Sequence, residues 1–243
     1  MRVLDLFSGI GGFSLGLERA GMETVAFCEW DAKARQVLAK HWPEVPCYHD
    51  VKDLTKERLD QDGITDIRLI CGGYPCQPFS TAGKRLGQED DRHLWPEVLR
   101  LVQEIRPAWV LCENVAGHIS MGLDSVLADL DGIGYDSQAL VIPACAVDAP
   151  HRRDRVWIVA NAKLYGRYKG IAGNSGSKAT AGRKNRDIAY RLHKRAWAIE
   201  PNSRRVAYGV PGRVDRLKQL GNAVVPQVVE VIGRAIMEAN NDG

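Results

Sequence analysis

Residues 3–30 read VLDLFSGIGGFSLGLERAGMETVAFCEW, and this stretch decides the architecture. Val3–Phe7 is a short apolar run of the kind that forms a buried strand. Ser8-Gly9-Ile10-Gly11-Gly12 is a glycine-rich turn. Phe13, Leu17 and Ala20 then recur at helical spacing, and Gly21 closes that helix. Thr24–Cys28 is a second apolar run, ending at Glu29-Trp30. A strand, turn, helix and strand in this order form a β-α-β unit, which requires parallel pairing.

Working outward, the same alternation continues. Asp31 is placed to cap a helix carrying Ala34, Val37, Leu38 and His41. Pro46–His49 predicts a short third strand ending at Asp50. Ile67–Cys71 predicts a fourth, running into Gly72-Gly73-Tyr74-Pro75-Cys76. Leu94, Val98, Leu101, Val102 and Ile105 fit a helix stopped by Pro107. Trp109–Cys112 predicts a fifth strand ending at Glu113-Asn114, followed by a helix on Leu123, Val126, Leu127 and Leu130. Ser137–Ile142 and Val156–Ala160 read as consecutive strands with no helix between them. The expected fold is α/β, a doubly wound, mostly parallel, Rossmann-like sheet with a hairpin at one edge. Ligands bind such sheets at the carboxyl ends of the strands. Gly9, Glu29, Asp50, Cys76 and Glu113 all fall there.

The pattern breaks from Asn161, and Gly170–Gly182 is rich in Gly, Ser, Ala, Thr and Lys. Val224, Val225, Val228, Val229, Ile232 and Ile236 then form a helical face expected to pack back on the core. Three regions follow: a sheet domain over residues 1–160, whose strand ends carry the candidate site, a small irregular basic region over 161–213, and a returning segment and helix over 214–243.

The whole chain has 243 residues, 45% hydrophobic and 26% charged, which excludes a disordered tail, a collagen or a bare peptide module. No apolar run reaches the ~18 residues of a membrane span. The N-terminus has no apolar signal core, so a cytoplasmic protein is expected. The net charge of +3 hides an uneven distribution. Residues 161–213 carry 13 Lys/Arg against two acids, Asp187 and Glu200, a net of +11. The remainder carries 20 basic and 28 acidic residues, a net of −8. An acidic body with a basic segment fits a polyanion partner, although a solvated stretch would have the same composition.

Gly9, Gly11 and Gly12 let backbone approach a ligand closely, although a tight β-α turn alone would also use them. The dinucleotide pattern G-x-G-x-x-G is not met, because position 14 is Ser, and no G-x-x-x-x-G-K-[ST] occurs. Glu29 is placed to accept hydrogen bonds from ribose hydroxyls, Asp50 from an exocyclic amine, and Trp30 to pack on a base. These features fit a nucleoside cofactor better than a bare phosphate.

Among six cysteines (Cys28, Cys47, Cys71, Cys76, Cys112 and Cys145) no C-x-x-C pair occurs, so no metal site is expected. Cys28, Cys71 and Cys112 sit in or beside apolar runs and read as buried thiols. Cys76, in Pro75-Cys76-Gln77-Pro78, is held rigidly beyond a strand end by flanking prolines and is placed as a nucleophile. A buried structural thiol is the competing reading. Glu113 could protonate or hydrogen-bond a ring nitrogen if its pKa is raised. Arg153 and Arg155 are expected on one face of a strand, where they could lower the thiol pKa and hold a base carbonyl or phosphate.

With these residues assembled, the chain resembles the cytosine-5 DNA methyltransferase family, in a compact form like those of phages and prophages. Asp5-Leu6-Phe7-Ser8-Gly9-Ile10-Gly11-Gly12-Phe13 resembles its first cofactor motif, and Pro75-Cys76-Gln77 its nucleophile motif. Glu113-Asn114-Val115, Arg153-x-Arg155 and Leu220-Gly221-Asn222-Ala223-Val224 resemble three further motifs, all in family order.

The resemblance implies S-adenosyl-L-methionine as cofactor, double-stranded DNA as partner and a flipped-out cytosine as target. Cys76, Glu113, Arg153 and Arg155 would be catalytic. Phe7, Gly9, Gly11, Gly12, Glu29, Trp30, Asp50 and Asn222 would line the cofactor pocket. Gln77, Ser80, Lys84 and Arg85 in the Ser80–Leu94 segment and its approach, with Arg183, Lys184 and Arg186, would contact nucleic acid. A monomer is expected, and the short basic region implies a short or relaxed recognition site. One departure is His151, where the family usually has Gln. A tRNA cytosine methyltransferase shares the Pro-Cys-Gln loop and is the nearest alternative. A nucleic-acid-binding relative without activity is disfavoured by the intact Cys76, Glu113, Arg153 and Arg155. The Asp/Asn-Pro-Pro-aromatic motif of amino-methyltransferases is absent.

Overall fold

The structure is a computed structural model and describes residues 1–75, 94–162 and 219–241. Seven strands form one sheet in the order β3-β2-β1-β4-β5-β7-β6. They are β1 (Arg2–Leu6), β2 (Glu23–Cys28), β3 (Cys47–Tyr48), β4 (Ile67–Gly72), β5 (Trp109–Val115), β6 (Tyr135–Pro143) and β7 (Asp154–Ala162). β1 to β5 pair in parallel, whereas β7 runs antiparallel to both β5 and β6. The chain leaves β1 towards β3 and returns to β4 on the other side of β1. This reversal opens a crevice between the β1 and β4 carboxyl ends, where the glycine turn and the Gly73–Pro75 stretch both begin.

The helices are α1 (Gly12–Arg19), α2 (Ala32–His41), α3 (Lys56–Gln61), α4 (Trp95–Ile105), α5 (Leu123–Gly132) and α6 (Pro226–Asn241). Strand residues alternate between two cores, as the period of two dictates. Leu4, Leu6, Ile70, Val110, Cys112, Val156 and Ile158 pack with α4 and α5 residues such as Trp95, Val98, Leu101, Val126 and Leu130. Val3, Leu69, Cys71, Leu111, Trp157 and Val159 pack with Phe13 and Leu17 of α1 and Val228, Val229, Ile232 and Ile236 of α6. The returning helix therefore completes one face of the sheet. Among the described residues, Gln219–Asn240 alone has the length and apolarity of a membrane-crossing helix. The face formed by Val228, Val229, Ile232 and Ile236 is buried in this core.

Helix ends follow local chemistry. Asp31 caps α2 by accepting from the Lys33 and Ala34 amides at 2.8 and 3.2 Å. Thr55 caps the unanticipated α3 by accepting from the Arg58 amide. Gly11 begins α1 in a left-handed conformation (φ 84°), and a Cβ there would meet the Trp42 ring at 2.5 Å. At Gly12 a Cβ would lie 2.9 Å from Val224 Cγ2, so the returning segment rests directly on the glycine turn.

Asp5 is the most deeply buried carboxyl in this region, with no exposed surface. Its Oδ2 accepts from Ser14 Oγ at 2.7 Å, fixing α1 to β1. Burial pushes its pKa up to about 7, with Ser14 opposing and the Glu29 charge adding to the rise. From its ordinary value up to pH 7 the folded chain holds a proton that the unfolded chain has lost. Stability therefore falls as pH rises through that window and levels off above it. Asp5→Asn is expected to remove this slope, on the order of a few kcal/mol. Melts at pH 5 and pH 8 should show a smaller loss of Tm for the variant; equal losses would assign the slope to another group.

Candidate active site

The glycine turn is held open by one carboxylate. Glu29, at the end of β2, accepts from the Gly9 amide through Oε2 and from the Asp31 amide through Oε1, both at 2.7 Å. These bonds tie the β1–α1 turn to the start of α2 and leave a further lone pair on each oxygen. Arg35 Nη1 donates to the Glu29 and Trp30 carbonyls. Gly9 has φ 55°, and a Cβ there would meet nothing within 4 Å, so open space lies above this turn. Phe7 also has a positive φ, 52°, and packs partly buried against the core.

Trp30 is 65% exposed, yet its ring is ordered by stacking on His49, with centroids 4.3 Å apart and planes at 14°. The register makes this pair: Cys28 pairs with Tyr48, so the residues beyond these strand ends are neighbours. His49 was not singled out from the sequence, although an aromatic beside Asp50 at an adjacent strand end is the signal for it. Asp50 follows directly, and its Oδ1 accepts from the Lys52 amide at 2.9 Å. Asn222 is exposed, two residues before the Val224 that rests on Gly12.

A second group of residues lies at the ends of β4, β5 and β7. Glu113 is 8% exposed, and its Oε1 is 2.7 Å from Arg155 Nε. Burial raises its pKa, while the Arg155 and Arg153 charges and the Arg155 hydrogen bond pull the other way. Gly73 stands beside it: a Cβ there would lie 3.3 Å from Glu113 Oε2. The β4 end that leads into Cys76 is thus in contact with the Glu113 carboxyl. Asn114 Nδ2 donates to the Tyr74 carbonyl at 3.2 Å, joining the same two strand ends again.

Arg153 differs from expectation. It lies just before β7 with φ 38°, so it does not share a strand face with Arg155. The physical cause is the turn held by the Ala144 amide donating to the Arg152 carbonyl at 2.7 Å. Its Nη2 donates to the Gly221 and Ala223 carbonyls at 2.8 and 2.6 Å, gripping the returning segment. Its Nε is buried without a hydrogen-bond partner among the described residues, and burial followed by the Arg155 charge lowers its pKa.

Cys28, Cys71 and Cys112 are buried, as expected, and burial pushes Cys28 and Cys112 up to about 12 and Cys71 well above the ordinary range. Cys76, Gln77, Ser80, Lys84 and Arg85 lie outside the described residues. So do Arg183, Lys184 and Arg186, with most of the 161–213 region.

Residues 1–189 match the family described as C-5 cytosine-specific DNA methylase. The chain belongs to this family. The C-5 cytosine-specific DNA methylase match covers every strand among the described residues, Glu29, Glu113 and Arg155, and the Pro75-Cys76-Gln77 stretch. Type II methyltransferase M.HgiCII of Herpetosiphon aurantiacus is 38% identical over 163 residues, covering 65% of this chain and 36% of the relative. Type II methyltransferase M.HhaI of Haemophilus parahaemolyticus is 35% identical over 164 residues, covering 65% of this chain and 48% of the relative. The chain thus spans between about a third and a half of the curated relatives it matches. Two solved structures share the fold over 99% of both chains at a TM-score of 0.67. One is described as a DNA modification methyltransferase encoded within an E. coli prophage (21% identity), the other as S. pombe Dnmt2 methyltransferase (18% identity).

Proposed function

We propose that this C-5 cytosine-specific DNA methylase family member transfers a methyl group from S-adenosyl-L-methionine to carbon 5 of a flipped-out cytosine in duplex DNA. The observation that carries the proposal is the buried Glu113 carboxyl, held by Arg155 and in contact with the β4 end leading to Cys76. This carboxyl shares a sheet edge with an open glycine turn. An acid, a cation and a thiol-bearing stretch together suit addition to an electron-poor ring.

The cofactor residues fit S-adenosyl-L-methionine. The open space over Gly9, the second lone pairs on Glu29 and the exposed face of Trp30 match an amino-acid tail, a ribose and a base. Asp50 suits the exocyclic amine, and Phe7, Gly11, Gly12 and Asn222 complete the lining. When bound, the cofactor supplies an electrophilic methyl group. Cys76 Sγ forms a bond to ring carbon 6 and pushes an electron pair towards ring nitrogen 3, where Glu113 supplies a proton or hydrogen bond. Arg155 holds the base carbonyl. After carbon 5 takes the methyl group it loses its proton to solvent, ring nitrogen 3 returns its proton to Glu113, the 5,6 double bond re-forms and the thiolate leaves. The basic 161–213 segment contacts phosphates, with Gln77, Ser80, Lys84, Arg85, Arg183, Lys184 and Arg186 in that face. The enzyme acts as a monomer in the cytoplasm.

Incubation with tritiated S-adenosyl-L-methionine and either duplex DNA or tRNA, followed by nucleoside analysis, tests the proposal. Label in 5-methylcytosine of DNA is expected. Label in N4-methylcytosine or N6-methyladenine would overturn it, and label in tRNA alone would replace the substrate.

Arg153 acts here through the segment it grips. Arg153→Ala frees the Gly221 and Ala223 carbonyls and loosens Val224 on Gly12. The KM for S-adenosyl-L-methionine is expected to rise about tenfold, with a smaller change in kcat. Steady-state kinetics checks this; an unchanged cofactor KM would return Arg153 to the base side.

A further inference from the structure

Tyr74 is the second residue before Cys76, is 4% exposed, and carries a polar group that packing alone does not need. Its Oη is hydrogen-bonded to His118 Nε2 at 2.7 Å, and His118 is itself buried. The Tyr74 ring also packs on Trp95, with centroids 5.2 Å apart, and meets the His118 ring edge-on at 5.6 Å. Its carbonyl accepts from Asn114 Nδ2.

These contacts join three places that the chemistry must align. Tyr74 ends the stretch leading from β4 into Cys76. Trp95 opens α4, where the chain returns after residues 76–93, and its Nε1 is anchored to Asp129 Oδ2 at 2.8 Å. His118 sits on the short 3-10 turn Ala116–Ser120 that directly follows Glu113 and Asn114 on β5. One side chain therefore touches the departure of the Cys76 segment, its return, and the strand that carries the proposed acid. A phenylalanine would fill the same volume, and burying a hydroxyl–imidazole pair adds little net stability over an apolar pair of the same shape. What the pair adds is direction, because a hydrogen bond fixes one mutual arrangement where ring packing allows several.

We infer that Tyr74 and His118 form a positioning pair that sets the β4 end leading to Cys76 relative to Glu113, an assignment that rests on the proposed function. The pair touches neither substrate nor cofactor. It acts through Pro75 on one side and through the Ala116–Ser120 turn on the other.

The test uses Tyr74→Phe, His118→Phe and the double variant in the full chain. Each single variant is expected to lower kcat about tenfold, because small misplacement of reacting groups is costly. KM for S-adenosyl-L-methionine and for DNA should stay within about twofold; Tm should fall modestly in each single variant, where one buried polar partner is removed, and less in the double variant. The double variant should be no slower than the slower single, because the bond that each single variant breaks is the same one. In parallel, iodoacetamide labelling of Cys76 is followed by mass spectrometry across pH without DNA or cofactor. Its rate profile should be displaced in both single variants. A Tyr74→Phe enzyme with wild-type kcat and an undisplaced labelling profile would overturn the pair. So would losses in kcat that track a lost folded fraction. A wild-type chain that methylates no cytosine carbon 5 would overturn the proposed function instead, and the labelling profile would still decide the positioning role.

Discussion

Cys76→Ala is expected to lower methyl transfer on the order of 10⁴-fold or more, and to abolish covalent capture on 5-fluorocytosine DNA. Carbon 5 of cytosine is a poor nucleophile while the ring is aromatic. Addition of a thiolate at carbon 6 converts the ring into an enamine whose electron density lies on carbon 5. Without that addition neither binding nor orientation supplies the missing reactivity. Fluorine at carbon 5 cannot leave as the proton does, so the wild-type adduct should persist through denaturing electrophoresis. Cys28, Cys47, Cys71 and Cys112 cannot substitute. Burial holds Cys28 and Cys112 at about 12, Cys71 well above its ordinary range and Cys47 at about 11, so all four stay protonated thiols near neutral pH. An adduct that survives Cys76→Ala would place the nucleophile elsewhere.

Glu113→Gln carries the second large effect, a fall in kcat of about 10²–10³-fold with DNA affinity retained. The amide keeps the shape and can still accept from Arg155 Nε, which now sits 2.7 Å from Oε1. It cannot deliver a proton to ring nitrogen 3. The pH profile separates this role from a structural one. Burial raises the Glu113 pKa, so more of the acid is protonated near neutrality than for an exposed glutamate. A rate that needs the protonated acid falls as pH rises through that raised pKa. The variant should lose this limb along with the rate. A glutamine enzyme that keeps the wild-type pH dependence would remove Glu113 from the proton path.

Strands β1, β2, β4, β5 and β7 were legible because each carries a short apolar run buried on both faces, whereas β3 is only two half-buried residues and β6 is half-buried or exposed along most of its length. The Asp31 cap was legible for a similar reason: its cause lies within three residues of its effect. The α3 helix was not, since only Leu59 on it is buried and one apolar position sets no period. Strand alternation misled at Arg153, because the turn that rotates it out of β7 is made by a contact with Ala144, nine residues away. The positions of Glu29 and Glu113 at strand ends were readable. Their partners were not: whether a carboxylate turns to solvent or onto the Gly9 amide depends on the path of the neighbouring turn. Tyr74 and His118 are 44 residues apart, and only the parallel pairing of β4 with β5 makes them neighbours.

The seating of α6 against α1 has a consequence for how the chain is made. Phe13 and Leu17 of α1 share their core with Val228, Val229, Ile232 and Ile236, over 200 positions later in synthesis. Gly16 meets the Pro226 carbonyl and Gly12 meets Val224, so the first turn and the last helix must find each other at atomic contact. A nascent chain in which residues 224–241 are not yet made displays the apolar face of α1 to water. Contacts this distant in sequence close slowly. The interval before they close is when the polypeptide most needs chaperone cover or is most exposed to proteolysis. A ribosome that stops short of residue 224 releases a protein whose nucleophile stretch is written but whose cofactor turn has no floor.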